Sequence, residues 1–528
     1  MNPKLTVFGP NRSTGEVSRE RFGNKAATLV EMSGLGVPVP PGFALSVEVC
    51  EEYFANGGRL PDDITELLRE GIAGLEEATG QIFGSPRRPL LVSVRSGAAI
   101  SMPGIMETVL NVGLNRDAVR GLLSRTGNPR FAWDCYRRFL AQFGDVVYAH
   151  DPARYRVLLR EAMDREGVPD EAELDTTSLR DLAFQYERLF ADAGTPFPAN
   201  VPTQLLACTE AVLRSWRSPR AEAFRRLQLA DDARGTAVTV QAMVFGNLDA
   251  ASGAGVAFTR NPWSGESELT LDFRFGAQGE EVVSGEQTGL DQVNFARVLP
   301  AQSASLRTIG ILLERHYRDM QDIEFTIQAG ELFILQSRDG KRTPLATLRI
   351  AVDLVDEGVL DEIEAGQQLA GLDIEAIRVR RVATAAEPIA NGTPASGGVA
   401  SGMIAFSAER AEQDALETPV ILVRPTASPD DIEGIRAAAG LLVSRGGRTS
   451  HAAVVARQLG KVCVVNCNAL VIDLGRHRCE IGGAEFREGD VISIDGDTGA
   501  VYGGTVEVKE ERPDVLIKAV KTWGGVKE

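Results

Sequence analysis

Hydrophobic and polar positions alternate in different rhythms along the chain, and the changes of rhythm divide it. From 1 to about 115, short apolar runs of strand length mix with helical patterns. Gly23-Asn24-Lys25-Ala26-Ala27-Thr28-Leu29 predicts a glycine turn opening a helix that runs to about Met32, and the Val-Pro-Val-Pro-Pro-Gly run at 37–42 is an extended breaker. Leu90-Leu91-Val92-Ser93-Val94-Arg95 predicts a buried strand leading into a small-residue loop. Between about 116 and 230 the apolar residues recur at helical spacing, as in Phe131-Ala132-Trp133-Asp134-Cys135-Tyr136-Arg137-Arg138-Phe139-Leu140. Strands return at 237–244, 255–259, 268–273 and in a hairpin over 322–338, and residues 345–380 read as helices with an apolar stripe. The Ala/Gly/Pro/Ser-rich stretch 387–398 predicts a linker. Residues 393–508 predict a further α/β unit, with strands at 420–423, 440–443, 462–466 and 491–493. The expected organisation is 1–115, a mainly helical 116–230, 231–343, a helical linker 344–392, an α/β unit 393–508 and a charged tail 509–528.

Composition narrows the class. A chain of 528 residues exceeds one domain of ~150 residues. At 44% hydrophobic and 24% charged residues it is not disordered throughout. A net charge of -17 argues against nucleic acid or an anionic membrane as partner, while leaving room for a small anionic substrate held by a few local cations. No run reaches the ~18 apolar residues of a membrane span, and the N-terminus lacks a signal-peptide pattern. The six cysteines are scattered and read as buried thiols, so a cytoplasmic protein is expected.

The candidate chemistry begins at Gly446-Gly447-Arg448-Thr449-Ser450-His451-Ala452-Ala453. Here a predicted strand, a double-glycine loop and a helix follow in order. That places His451 near a helix N-terminus, where the dipole disfavours imidazolium and keeps the ring a neutral nucleophile. The loop N–H groups, with the hydroxyls of Thr449 and Ser450, can hold an anion beside it. A neutral histidine next to an oxyanion cradle suits phosphoryl transfer to nitrogen. The other histidines, His150, His316 and His477, read as structural.

Within the predicted hairpin the odd positions Ile323, Phe325, Ile327, Phe333 and Leu335 are apolar. A three-residue loop, Gln328-Ala329-Gly330, would put them on one face and gather Asp322, Glu324, Gln336 and Arg338 on the other. Oxygen ligands beside an arginine suit Mg²⁺ and a polyphosphate, and a half-solvated hairpin with a surface ion pair is the plainer alternative. The segment Arg95-Ser96-Gly97-Ala98-Ala99-Ile100-Ser101-Met102-Pro103-Gly104 could meet phosphate through its backbone amides, or be an ordinary strand exit. Lys25 could bind phosphate or be a surface lysine.

Together these residues resemble the pyruvate phosphate dikinase family more closely than the related phosphoenolpyruvate synthases. The matching segments run from Gly23-Asn24-Lys25-Ala26-Ala27 through Arg95-Ser96-Gly97-Ala98, Gln241-Ala242-Met243-Val244-Phe245-Gly246-Asn247, Thr259-Arg260-Asn261-Pro262, Ala277-Gln278-Gly279-Glu280 and Asp322-Ile323-Glu324-Phe325-Thr326 to Gly447–His451 and Asp495-Gly496-Asp497-Thr498-Gly499. The resemblance implies a multidomain α/β fold: an ATP-grasp nucleotide-binding region with a helical insertion, then a swivelling phosphohistidine domain. It implies ATP and Mg²⁺ as cofactors. Lys25, Arg95, Gly97, Ser101 and Gly104 would lie on the nucleotide phosphates. Asp322, Glu324, Gln336 and Arg338 would hold nucleotide and metal, with Glu280 nearby. His451 would take the phosphoryl group and Thr449 would help place it. Three departures stand out: Ala99 where a basic residue is common, Arg448 in place of a common Met, and Asp272 in place of Glu.

The family carries a third part, a C-terminal barrel for pyruvate or phosphoenolpyruvate, and such a barrel needs ~250 residues. About twenty follow 508, so the acceptor is expected on a separate subunit. The leading expectation is an enzyme that phosphorylates His451 from Mg-ATP, with AMP release and with or without inorganic phosphate, and hands the group on in trans. The alternatives are a self-contained dikinase for a phenol or antibiotic, and a non-catalytic ATP-binding regulatory protein.

Overall fold

In the computed structural model, which describes residues 2–10, 17–98, 106–227, 234–278, 289–383, 387–428, 431–448 and 450–523, the chain divides into two units. The first is Met1–Ser252 with Ile327–Ser337, the second Gly253–Thr326 with Arg338–Glu528.

The first unit is built on five antiparallel strands in the order Leu5–Phe8, Gly42–Leu45, Ala237–Ala242, Val92–Gly97, Thr108–Val112. The predicted run at 90–95 thus becomes a central strand, buried along nearly all its length because helices and neighbouring strands cover it. The helical stretch is confirmed as Arg116–Thr126, Pro129–Tyr148, Pro152–Glu166, Thr176–Asp192, Val201–Ser215 and Pro219–Leu227. Its ends follow local chemistry. Asn115, Asn128, Asp151, Asp175 and Asn200 each cap a helix N-terminus with a side-chain oxygen, and Gly127 and Gly167 end helices in the left-handed conformation. Phe139, Phe143, Phe190 and Phe197 interlock edge to face between these helices.

The second unit opens with the antiparallel strands Gly253–Phe258 and Thr270–Phe275, beside which the hairpin strand Gln321–Gln328 runs. Arg260, fully buried, ties the exit of the first of these to Glu314 at 3.0 Å and Glu357 at 2.6 Å. The Thr-Arg-Asn-Pro signal is therefore structural at its arginine. After the helices Pro344–Asp356 and Glu362–Gln368 comes an eight-stranded sheet. Its parallel centre is Val399–Ala405, Val420–Arg424, Gly440–Val443 and Val462–Val465, of which the last three match the predicted strands within two residues, as does Val491–Asp495, while Val399–Ala405 was not expected.

Three expectations are corrected. The helical reading of 345–380 stops short, because Val379–Val382 is a strand pairing antiparallel with Val508–Glu511. The linker reading of 387–398 also fails. Ala390–Asn391 pairs with Ala500–Gly503 at one edge of the eight-stranded sheet, and Thr393–Ser396 pairs with Val462–Val465 at the other. Small residues and proline are tolerated on edge strands as well as in linkers, so composition does not separate the two.

The hairpin turn is the third correction. Gln328 still belongs to the first strand and Glu331 starts the second, leaving Ala329 (φ 49°) and Gly330 (φ 83°) as a two-residue turn whose twist matches the strands. Such a turn alone would pair odd with even positions. At the stem, however, Gly340 N donates to Met320 O at 3.1 Å and Arg338 meets Asp322. The second strand buries Ile334 and Ser337, three positions apart, so its alternation breaks between turn and stem.

Beyond 508, Asp514–Lys521 is an amphipathic helix. Ile517, Val520 and the following Trp523 join the buried cluster of Leu348, Ile350 and Leu354 from Pro344–Asp356. All six cysteines are buried and free, and burial pushes Cys463 up to about 12.

Candidate active site

In the first unit, Lys25 and Arg95 are carried by two segments in contact. The strand Val92–Gly97 pairs Arg95 with Thr239 and Gly97 with Ala237, and Gly97 N donates to Thr236 Oγ1 at 3.2 Å. Gly23 lies within the span Arg19–Gly34 with φ 74°, and a Cβ there would stand 2.0 Å from the Gly97 carbonyl oxygen. Only glycine fits this left-handed contact. One residue on, Asn24 N donates to Ala98 O at 3.1 Å. The glycine turn before Lys25 is thus docked on the end of the Arg95 strand. Gln336 also belongs to the first unit, on a hairpin segment anchored by Ile334 N to Pro38 O at 2.8 Å. Ser101 and Gly104 lie outside the described residues.

In the second unit the hairpin stem holds Asp322, Glu324 and Arg338. Arg338 Nε donates to Asp322 Oδ2 at 2.8 Å, and its Nη2 lies 3.8 Å from Glu324 Oε1. Burial pushes the Asp322 carboxyl above the usual carboxylate range, with Arg338 only partly offsetting it. Burial also works against the charge of Arg338, but Asp322 and Glu324 outweigh it and hold the guanidinium above its ordinary value. Asp322 Oδ1 is buried without a hydrogen-bond partner. An orphaned buried carboxylate oxygen with a second carboxylate nearby is a donor set that fits Mg²⁺, which takes one or two carboxylates and completes its shell with phosphates and water. Among the described residues no group of three or more His, Cys, Asp or Glu side chains could hold a metal without such help. Glu280 lies outside the described residues.

The strand Gly440–Val443 leads through Gly446 (φ 130°) and Gly447 into the helix His451–Gln458. His451 is its first residue. Ser450 is the N-cap, its side chain accepting from Ala453 N, while Ser450 N donates to Gly447 O at 3.1 Å. Ala452, Ala453, Val455 and Ala456 bury the helix against Leu441 and Val443, which orients its open end. Thr449 and the side chain of His451 lie outside the described residues. Of the remaining histidines, His150 is buried with ring nitrogens 2.8 Å from Tyr155 Oη and from Thr195 Oγ1, and His477 faces Glu488 at 3.2 Å.

Arg457, not expected from sequence, and Asp272, in sequence only a departure from Glu, lie between the helix and the hairpin side. Arg457, fully buried, donates from Nη1 to Arg448 O at 2.8 Å and to Ala395 O at 3.0 Å, with its guanidinium 5.2 Å from the Phe258 ring centre. Its Nε and Nη2 are buried without hydrogen-bond partners. Burial lowers Arg457 to about 10, against the opposing pull of Cys463, Asp322 and Asp272. Asp272 itself borders the double-glycine loop, since a Cβ on Gly447 would stand 2.8 Å from Asp272 Oδ2. The available signal for Arg457 was a lone cation closing an otherwise small, apolar helix.

The chain is similar to known proteins over nearly its whole length. Residues 57–298 and 291–358 match the family model of the pyruvate phosphate dikinase AMP/ATP-binding domain, and residues 416–499 match that of the PEP-utilising enzyme mobile domain. The pyruvate, phosphate dikinase of Clostridium symbiosum is 42% identical over 512 residues, covering 96% of this chain and 59% of that protein. That of Rhizobium meliloti (strain 1021) is 43% identical over 517 residues, covering 95% and 58%. The chloroplastic pyruvate, phosphate dikinase 1 of Arabidopsis thaliana is 42% identical over 508 residues, covering 95% and 53%. The chain thus spans somewhat over half the length of these curated relatives.

Proposed function

Because the chain belongs to the pyruvate phosphate dikinase family, we propose that it is an ATP-dependent phosphotransferase that phosphorylates its own His451, releases AMP, and passes the phosphoryl group to pyruvate or another acceptor on a separate subunit. The observation that carries this reading is that the helix opening with His451 and the Asp322–Arg338 stem share one unit, with the guanidinium of Arg457 on that helix 5.2 Å from the Phe258 ring on the strand next to Gln321–Gln328.

In this mechanism Lys25 and Arg95 bind nucleotide phosphate, with backbone groups of Gly97, Ser101 and Gly104 beside them. Asp322 and Arg338 hold the nucleotide. Glu324, Gln336 and Glu280, with the orphaned oxygen of Asp322, would hold Mg²⁺, and the metal would neutralise phosphate charge. His451, kept neutral at the helix N-terminus, attacks phosphorus through a ring nitrogen. An N–P bond to the β-phosphorus forms as the bond to the departing AMP breaks, and the γ-phosphoryl passes to inorganic phosphate as pyrophosphate or to water as phosphate, with Thr449 and the loop N–H groups steadying the oxyanion. Positioning and charge neutralisation supply most of the rate. Among the described residues no helix is long and apolar enough to cross a membrane. We place the protein in the cytoplasm, with small-molecule substrates and neither nucleic acid nor membrane as partner.

The test is nucleotide chromatography of the purified chain with Mg-ATP, with and without inorganic phosphate, beside His451→Asn. Phosphoryl label is mapped by mass spectrometry under alkaline conditions. AMP formation with label on His451, both lost in the variant, is the expected result. Tight ATP binding with no AMP and no label would instead make this a nucleotide-binding regulator.

A further inference from the structure

We propose that Arg448 is a latch that docks the His451 loop on the nucleotide-binding side of the second unit and positions the histidine for phosphorylation. The inference deepens the function just proposed and rests on it for the identity of the reacting residue. Arg448 lies three residues before His451. Its Nη1 donates to Gln292 Oε1 at 2.8 Å, its Nε donates to Pro394 O at 3.3 Å, and its guanidinium carbon stands 6.0 Å from the centre of the Trp263 ring. Its own carbonyl is held by Arg457. One side chain therefore makes three kinds of contact, and its backbone is pinned independently.

Pro394 belongs to the same eight-stranded sheet as the loop, but the other two partners lie on the other matched segment. Gln292 opens the helix Gln292–Val298, fixed by the Asp291 cap, and Trp263 is a buried residue following the strand Gly253–Phe258. Both fall in the stretch matching the AMP/ATP-binding family, whereas Arg448 falls in the stretch matching the mobile domain. Any movement of the mobile domain away from this position must break the bond to Gln292 and uncover the Trp263 ring.

The chemistry suits a latch rather than a weld. Gln292 is a neutral amide, so the bond is charge-assisted on one side only and leaves no carboxylate stranded when it opens. A cation over a buried indole adds a modest, direction-tolerant attraction. For a half-buried site the combined bias is about tenfold in the docked-to-undocked ratio. Methionine could fill the space over Trp263 but has no donor for Gln292.

The experiment compares the full chain with Arg448→Met, Arg448→Lys and Gln292→Ala. Amide hydrogen exchange is followed first, without nucleotide. The latch requires amides of 291–298 and 450–458 to exchange about tenfold faster in both R448M and Q292A, with Val399–Ala405 and Val491–Asp495 unchanged. Single-turnover AMP formation is the second readout. R448M should lower the rate at saturating ATP about tenfold while leaving the ATP dissociation constant within twofold, and R448K, which can still donate to Gln292, should recover part of the loss. Exchange within twofold of wild type in both segments overturns the proposal. So does faster exchange throughout the chain with a lowered Tm, which would make Arg448 a purely structural residue. If wild type forms no AMP, the function proposed above fails, while the exchange comparison still decides whether Arg448 docks the loop.

Discussion

A buried arginine with two N–H groups lacking partners is a strained choice for a short helix, and Arg457 makes that choice beside the residue proposed to react. Burial lowers its guanidinium from the ordinary arginine range to about 10. Above about 10 the unfolded chain binds more protons than the folded one, so stability rises with pH there, and the penalty on the charged form is complete below about 10. At neutral pH the guanidinium therefore opposes folding through its burial while supporting the loop through Arg448 O and Ala395 O. Arg457→Met sets these effects against each other. Two carbonyls left without a donor cost about 1–3 kcal/mol each, and removing a buried charge gives back about 1–4 kcal/mol. We expect thermal scans to place the Tm of R457M within about 3 °C of wild type, while chromatography shows AMP formation falling by about 100-fold, the scale of losing one preorganised electrostatic group. A Tm collapse with proportional loss of activity would make Arg457 a fold residue only.

At the scale of elements, the sequence was most readable where one rule governed a segment. The parallel strands Val420–Arg424 and Gly440–Val443 are short continuous apolar runs bounded by turns, and the strand-loop-helix order around His451 follows from its double glycine and Ser450 cap. The failures lie where two structures share one composition. Thr393–Ser396 looks like a linker because an edge strand tolerates proline, and the Ala329-Gly330 turn looks a residue longer because Ala329 adopts a positive φ that alanine seldom takes. Asp322 and Arg338 meet as expected, but through a break in the alternation of the second strand and not through the three-residue loop expected, and Arg448–Gln292 had no signal because 156 residues separate them and no local rhythm relates them. The C-terminal helix Asp514–Lys521 gives a prediction at this scale. Trp523 is buried against the Pro344–Asp356 helix, so Trp523→Ala opens a cavity costing about 3–5 kcal/mol. Calorimetry should show the transition of the second unit falling by roughly 6 °C or more. Isothermal titration should show ATP affinity unchanged, since the helix packs on Pro344–Asp356.

For the whole molecule the decisive fact is that 528 residues carry matches to both a nucleotide-binding and a mobile domain yet span 53–59% of the length of these relatives. A net charge of -17 gives no overall basic surface, so holding an anion falls to local cations such as Lys25, Arg95 and Arg338. The strands Val379–Val382 and Val508–Glu511 pair with each other, so the segment between them, which includes the eight-stranded sheet and His451, leaves and returns through one antiparallel ribbon. Such a stem can carry a phosphorylated domain from one site to another while keeping both connections together. The expected consequence is a half-reaction. Given Mg-ATP, inorganic phosphate and pyruvate but no other protein, the chain should form about one AMP per chain and stop, with one phosphoryl group retained on His451 and the other released as pyrophosphate. Adding a purified pyruvate-binding barrel fragment from one of the relatives should discharge the label and restore continuous AMP release. Quench-flow with labelled ATP separates the cases. A stoichiometric burst that becomes steady turnover on adding the fragment supports transfer in trans, whereas sustained phosphoenolpyruvate formation by the chain alone would require an acceptor site within these 528 residues.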